Sequence, residues 1–423
     1  MNKPAKLLLL ALGAGLAWSG LRPWVPHDSE RFYLLVPPSA LLAWFILRRP
    51  SWREFRAQCR AAAPFGAGLF VFAIVYAVLF VGSSSLLHRT TWGEVAIMWY
   101  FTIAVSIVVI SSLATLKSGL QWAGRFLPQR PALHLIATQL TPGLLFFLAA
   151  PPYLLALTYV HRFRIPNLET PAAIIGRPAE AVEFVTNDGV TIRGWFIPAK
   201  STSERTVVIC HGLGGNCTQF VGMIAIADLL DSNALLFDFR GHGGSDGHTV
   251  TMGHFEKHDV SAAVNYLRTV RPGEARQIVG LAVSMGTSAL VLAAAELERP
   301  LDAVLLDSGF ASAIDLTDNV LGFIPAAVRP WLTTLWIPLA SLHAGCHLPD
   351  VLPEDCIARI RAPVILTHFE HDPLIPAAHA ARLFARAAEP KALFVAPAAG
   401  HGGALFAVGT PFLDAARGLL VAR

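Results

Sequence analysis

The sequence predicts a mostly parallel α/β sheet with helices on both faces and an inserted cap, preceded by a multi-span transmembrane helical region. Three observations predict it. Long uncharged apolar stretches are confined to the first 160 residues. Beyond residue 180, short β-branched runs alternate with segments of helical periodicity. One of those runs, Gln277 to Val283, leads straight into a serine followed by good helix formers.

At 423 residues the chain is long for one compact domain. Hydrophobic residues make up 54% and charged ones only 15%, against about 25% charged in an ordinary soluble domain. A net charge of +4 does not point to nucleic acid, because much of the Lys/Arg excess falls between apolar segments, where membrane topology accounts for it. Five scattered cysteines exclude a disulfide scaffold, and no Cys/His spacing suggests zinc. Cys346 and Cys356 either pair, if they lie outside the cytoplasm, or remain two thiols. Cys210 falls in a buried strand and reads as a small core residue.

Residues 1–163 are expected to form about five spans. Phe65 to Leu87 and Ala96 to Leu116 hold no charged residue, and Leu133 to Val160 holds only His134. Leu7 to Leu21 follows Lys3 and Lys6 and is a signal peptide or a first anchor; its exit, LAWSGLRP, is a poor cleavage site and favours the anchor. Phe32 to Leu47 is short and contains Pro37 and Pro38, tolerable near one end of a span. Arg48, Arg49, Arg53, Arg56 and Arg60 mark one loop as cytoplasmic. Three spans then follow, which puts everything after Val160 outside, the periplasmic face of a bacterial inner membrane. Arg162 and Arg164 count against that orientation. A transporter usually carries ionisable residues inside the membrane; with only His134 there, anchoring is the favoured role.

Residues 164–179, rich in proline and small side chains, read as a linker. Residues 180–423 then alternate. Ala181 to Val185 and Val190 to Phe196 are strands around the hairpin signal Asn187-Asp188-Gly189. Thr206 to Cys210 is a buried strand, Thr218 to Leu230 a helix, Ala234 to Phe237 a strand, and His254 to Val270 a helix. Gln277 to Val283 is a strand and Ser284 to Leu297 a helix. Strands at Ala303 to Leu306, Pro363 to Leu366 and Ala392 to Val395 follow, with helices at Pro376 to Ala387 and Pro411 to Val421. Residues 309–353, rich in Pro, Trp and Leu, interrupt the rhythm as a cap.

The sharpest chemical pattern is GLAVSMG, Gly280 to Gly286. Small residues at Ala282 and Gly286 flank Ser284 because a tight strand-to-helix turn brings neighbouring backbone close. HGLGGN, from His211, follows a strand; its bend can aim the Leu213 amide at a substrate oxygen, with the Met285 amide as second donor of an oxyanion hole. It lacks the Lys-Ser/Thr ending of a phosphate-binding loop. His401, in AGHGG, is the candidate base, and Asp372, in HFEHDPLIP, the acid that orients it, with Glu370 as runner-up. His368 and His371 lack a third metal ligand, and His254 and His258 lack a carboxylate signature, so no metal is expected. The loop DFRGHGGSDG offers His242 and Asp246, which read as bracing rather than catalysis.

Taken together, NDGVTIRGWFIPA, HGLGGN, DFRGHGGSDG, AVSMG, HDPLIP and GHGG resemble the α/β-hydrolase superfamily, in family order, over about residues 180 to 423. The chain looks most similar to membrane-anchored serine hydrolases whose domain opens on such a hairpin. The resemblance implies the α/β-hydrolase fold, Ser284 as nucleophile, His401 as base, Asp372 as acid, an acyl-enzyme resolved by water, and no cofactor. Two positions depart from the pattern: Ala282 replaces the first glycine of the serine turn, and Phe369 stands where glycine is common. The expected partners are the lipid bilayer and a small-molecule ester or lipid substrate. Phe323, Trp331, Leu332, Trp336 and Leu339 of the cap either hold an acyl chain or form ordinary core. The competing readings are a catalytically silent binding or regulatory module, a peptidase of the same fold, and a transporter or sensor.

Overall fold

The computed structural model describes residues 152–421, apart from 154, 163 and 325. Four expected spans, Leu7 to Leu21, Phe32 to Leu47, Phe65 to Leu87 and Ala96 to Leu116, and most of the fifth, Leu133 to Val160, lie outside the described residues. Among the described residues no helix is long and apolar enough to cross a membrane. The chain divides into two compact units, Met1–Pro151 and Pro152–Arg423.

The second unit is built on an eight-stranded sheet of order β1-β2-β4-β3-β5-β6-β7-β8. β1 (Glu180–Val185) and β2 (Thr191–Ile197) pair antiparallel, and β2 is also antiparallel to β4 (Asn233–Phe237). The turn between the first two strands is the expected one: Gly189 takes a φ of 83° and donates from its amide to the carbonyl of Thr186 at 3.0 Å. β3 (Arg205–Cys210), β5 (Gln277–Val283), β6 (Ala303–Asp307), β7 (Val364–His371) and β8 (Lys391–Ala399) run parallel. The central strands β4 and β6 are buried at every position, as near-continuous apolar runs covered on both faces should be.

Two cores lie on opposite faces of the sheet. On one, Val208, Leu235 and Val304 pack under α3 (Glu256–Val270), α4 (Met285–Glu296) and the cap. On the other, Val207, Leu236 and Leu305 pack under α2 (Ile224–Leu229) and α10 (Thr410–Val421). The short α1 (Pro171–Ile175) precedes the sheet, and α8 (Ala378–Arg386) and α9 (Ala404–Val408) flank β8. The cap holds α5 (Ala313–Val320), α6 (Arg329–Ala344) and α7 (Pro353–Cys356). Trp336 and Leu332 belong to the core beneath α6, which settles the cap question for these two in favour of packing. Cys346 and Cys356 are free thiols.

The described part of residues 152–179, read from sequence as the end of a span and a linker, makes specific contacts within the second unit. Ala156, Tyr159 and Val160 are buried in the core, with the Tyr159 ring 5.1 Å from that of Trp336. Further on, Arg164 donates to the carbonyls of Gly243, Ser245 and Gly247, and Arg177 pairs with Asp228 at 2.7 Å. The physical reason is composition: the stretch carries arginines and an asparagine that find carbonyl and carboxylate partners on the domain.

Candidate active site

Ser284 sits where β5 ends and α4 begins, at φ 54° and ψ −121°. This strained backbone is held from both sides, since the Ser284 amide donates to Asp307 O at 3.0 Å and the Thr287 amide to Ser284 O at 3.0 Å. The turn is tight because β3 runs alongside. A Cβ on Gly286 would lie 2.5 Å from Cys210 O and 2.7 Å from His211 O. Ala282, the first departure from the pattern, is fully buried opposite Cys210 and Leu306 in the sheet register.

β7 and β8 bring the other two candidates to the same edge. The His401 ring joins Ser284 Oγ to Nε2 at 2.9 Å and Asp372 Oδ2 to Nδ1 at 2.8 Å. With the carboxylate as acceptor, Nδ1 carries the proton and Nε2 is left to accept from the serine hydroxyl. Asp372 Oδ1 accepts from the amides of Leu374 and Ile375 at 2.8 and 2.9 Å, which fixes the carboxyl group with Oδ2 toward His401. The three predicted side chains thus form one continuous hydrogen-bonded chain. Glu370 and His371 are exposed, and His368 is buried with Nε2 2.7 Å from Ile375 O. Among the described residues no His/Cys/Asp/Glu group is arranged to hold a metal ion.

Leu213 lies in the turn after β3, and Met285 is the first residue of α4, where amides have no intrahelical acceptor. Two buried histidines hold that turn. His211 Nε2 accepts from the Phe239 amide at 3.0 Å while Nδ1 faces Gly212 O at 2.7 Å. His242 Nε2 accepts from the Gly214 amide at 3.2 Å while Nδ1 faces Arg240 O at 2.9 Å. Both rings therefore need the neutral Nδ1–H form, and burial lowers both pKa values, that of His242 well below the ordinary range. The expected bracing role of His242 is what the geometry places there, and Asp246 pairs with Arg193 at 2.7 Å.

Below this layer lies Arg240, which reaches Asp188 of the hairpin turn at 2.6 Å and buried Asp259 of α3 at 2.7 Å. Burial pushes the Asp259 carboxyl up, and Arg240 opposes that push.

Sequence reasoning missed Asp307 and Ser308. Buried Asp307 accepts from Thr367 Oγ1 at 2.6 Å and from the Gly403 amide, and Ser308 Oγ accepts from the Gly402 amide at 3.1 Å. Together they pin the loop that carries His401. The available sign was a polar Asp-Ser pair at the C-terminal end of an apolar strand, where open α/β sheets place their sites. Phe369, the second departure, packs with Ala396 and Ala404 and fills the space beside Gly400, where a Cβ would lie 2.9 Å from its ring.

The family model described as serine aminopeptidase, S33, matches residues 201–350, which include Leu213, Ser284 and Met285 and end before Asp372 and His401. An uncharacterized protein of Mycobacterium tuberculosis, Rv2307c, is 32% identical over 236 residues, 56% of this chain and 76% of the relative. The chain belongs to the α/β-hydrolase superfamily. Other relatives of this α/β-hydrolase include the uncharacterized YfhR of Escherichia coli, 27% identical over 232 residues, 53% of this chain and 73% of that one. The α/β-hydrolase domain-containing protein WAV2 of Arabidopsis thaliana is 24% identical over 51% of this chain and 70% of its own. Among solved structures, the Pyrococcus furiosus esterase Pf2001 shares the fold, with a TM-score of 0.51 at 22% identity over 62% of this chain and 99% of the esterase.

Proposed function

We propose that this α/β-hydrolase is a membrane-anchored serine hydrolase that cleaves a carboxylic ester or related acyl bond. The observation that carries the reading is the unbroken chain Ser284–His401–Asp372 at 2.9 and 2.8 Å. In the proposed reaction Ser284 Oγ attacks the acyl carbon and gives its proton to His401 Nε2. Asp372 holds the imidazole and stabilises the imidazolium. The carbonyl oxygen takes up the negative charge facing the amides of Leu213 and Met285, each such donor typically worth about 3–4 kcal/mol. Collapse breaks the acyl–oxygen bond, and the leaving alkoxide takes the proton from His401. Water then enters and attacks the acyl carbon as it gives a proton to His401; the bond from the acyl carbon to Ser284 Oγ breaks, Ser284 takes that proton back, and the acid is released.

The bilayer anchorage, and the extracytoplasmic side for the catalytic domain, rest on the uncharged stretches and the arginine loop of the first 160 residues. A hydrophobic or lipid-like ester suits an enzyme so placed. A peptidase reading takes its support from the description of the matching family model.

The test is labelling of the full chain in membranes with a fluorescent fluorophosphonate, wild type against Ser284→Ala. Labelling of wild type alone is expected. Absence of labelling in folded wild type would overturn the enzyme reading in favour of a silent binding module. Parallel assays on acyl esters and amino-acid anilides separate esterase from aminopeptidase.

A further inference from the structure

The cap helix α6 carries apolar side chains on its exposed side as well as on its buried side. Leu332, Trp336, Ala340 and Ala344 recur every fourth residue and are buried against the core. Val328, just ahead of the helix, and Leu335 and Leu342 recur every seventh residue and are exposed, Leu342 to 78%. On a helix such spacing makes a single stripe. Between Arg329 and His343 the helix carries no ionisable side chain. Val320, at the end of α5, adds to the exposed apolar surface. A soluble cap would carry charge on its outer face; here the exposed positions of α6 beyond its first turn are Thr334, Leu335, Pro338 and Leu342, with no charge among them, and an uncharged, mainly apolar surface of this kind marks an interaction site.

What covers it follows from where the chain comes from. The 151 residues ahead of the described unit contain the uncharged stretches read as spans. The residues that emerge from them settle on this same helix. The Tyr153 ring lies 5.6 Å from that of His343, in the last turn of α6, and the Tyr159 ring 5.1 Å from that of Trp336. Tyr153 is itself partly exposed, as an aromatic at a membrane–water boundary is expected to be.

We infer that the outer stripe of α6, Val328, Leu335 and Leu342, lies in the lipid interface of the bilayer that anchors the chain. This rests on the anchorage reading above and not on the ester chemistry. Such a helix sits with its apolar face in the headgroup–acyl boundary. The cap would then rest on the bilayer surface, and a substrate held among lipids would reach Ser284 from that side.

The experiment places a benzophenone amino acid at position 335 or 342 of the full chain, in nanodiscs of phosphatidylethanolamine and phosphatidylglycerol. The control position is Val270, which is exposed at the C-terminal end of α3, far along the chain from the cap. Irradiation followed by mass spectrometry should find lipid adducts at 335 and 342 at least about tenfold above those at 270. Adducts no more frequent than at 270, or crosslinks to a second copy in place of lipid, would overturn the inference. Position 328 supplies the same test if a variant folds poorly. Extraction of the chain by alkaline carbonate would show that the anchorage itself fails; a carbonate-resistant chain without lipid adducts would sink the docked cap alone.

Discussion

Replacing Gly286 with alanine separates the geometry of the turn proposed to hold the oxyanion from the hydrogen-bonded chain of side chains. The added methyl would fall 2.5 Å from Cys210 O and 2.7 Å from His211 O, and contacts under 3.0 Å are essentially never observed for a real Cβ. The closer pair must open by at least half an ångström. Both oxygens are backbone, so no side chain can swing aside. β3 is hydrogen-bonded to β4 on one side and β5 on the other, and it resists being moved. With Cys210 held in β3, the displacement falls on the serine turn, which carries the Met285 amide, and through His211 O on the turn that carries the Leu213 amide. Overpacking of this kind costs about 1–3 kcal/mol. Misplacement of catalytic groups by about 1 Å costs about 10²-fold, so half that distance should slow acylation by about 10- to 50-fold. The assay is the second-order rate of fluorophosphonate labelling of the full chain, with thermal unfolding measured in parallel. A labelling rate within about twofold of wild type would refute the claim that β3 and the serine turn set the oxyanion geometry jointly. The companion Ala282→Gly should leave that rate nearly unchanged and cost only about 0.5–1 kcal/mol, because the sheet already accommodates the alanine.

Asp307→Ala should lower kcat about tenfold with KM little changed, since it frees the His401 loop and leaves the Gly403 amide unpaired, a cost of about 1–3 kcal/mol. Asp307→Asn, which keeps an acceptor for Gly403 and offers Thr367 a donor, should restore most of the loss; failure of that rescue would argue against a positioning role. The neutral forms of His211 and His242 make stability depend on acid. Burial holds their folded pKa values below the ordinary histidine value of about 6.5, so the unfolded chain binds more protons and stability is lost as pH falls through 6.5 toward the folded values. Each histidine should contribute a slope approaching about 1.4 kcal/mol per pH unit below 6.5, readable from thermal unfolding between pH 7.5 and 5. Arg240→Met strands the buried Asp259 carboxylate and should cost about 3–5 kcal/mol, whereas Arg240→Met with Asp259→Leu should recover much of it, as a double-mutant cycle would show.

The strands were legible because β-branched runs with turn residues between them leave few alternatives; Gln277 to Val283 came out with its expected bounds. Ser284, Asp372 and His401 were legible because each follows a strand and their order along the chain is the order in which this sheet delivers them. The far ends of β7 and β8 were not. They run on to His371 and Ala399, past the expected Leu366 and Val395, through polar and small residues that pair by backbone alone. The helix expected from Thr218 begins instead as a tight 3₁₀ segment, Cys217–Met223, capped by Asn216, whose side chain accepts from the Gln219 amide. Asp307 stayed hidden for a different reason: its partner amide at Gly403 is 96 positions away, and no local pattern encodes such a contact.

The stitched segment after Val160 also decides where this molecule can be cut. Asn216 donates to the carbonyls of Ile165 and Pro166 at 3.0 and 3.2 Å, and Asn167 donates to Asp238 at 2.6 Å. Asp238 in turn accepts from the amides of Cys217 and Gly244. A protease or an engineer who trims the chain at residue 180, where the sheet starts, removes the carbonyls of Ile165 and Pro166 and the side chains of Arg164 and Asn167 from beneath the turn after β3. The smallest fragment that retains a working turn therefore starts ahead of Arg164.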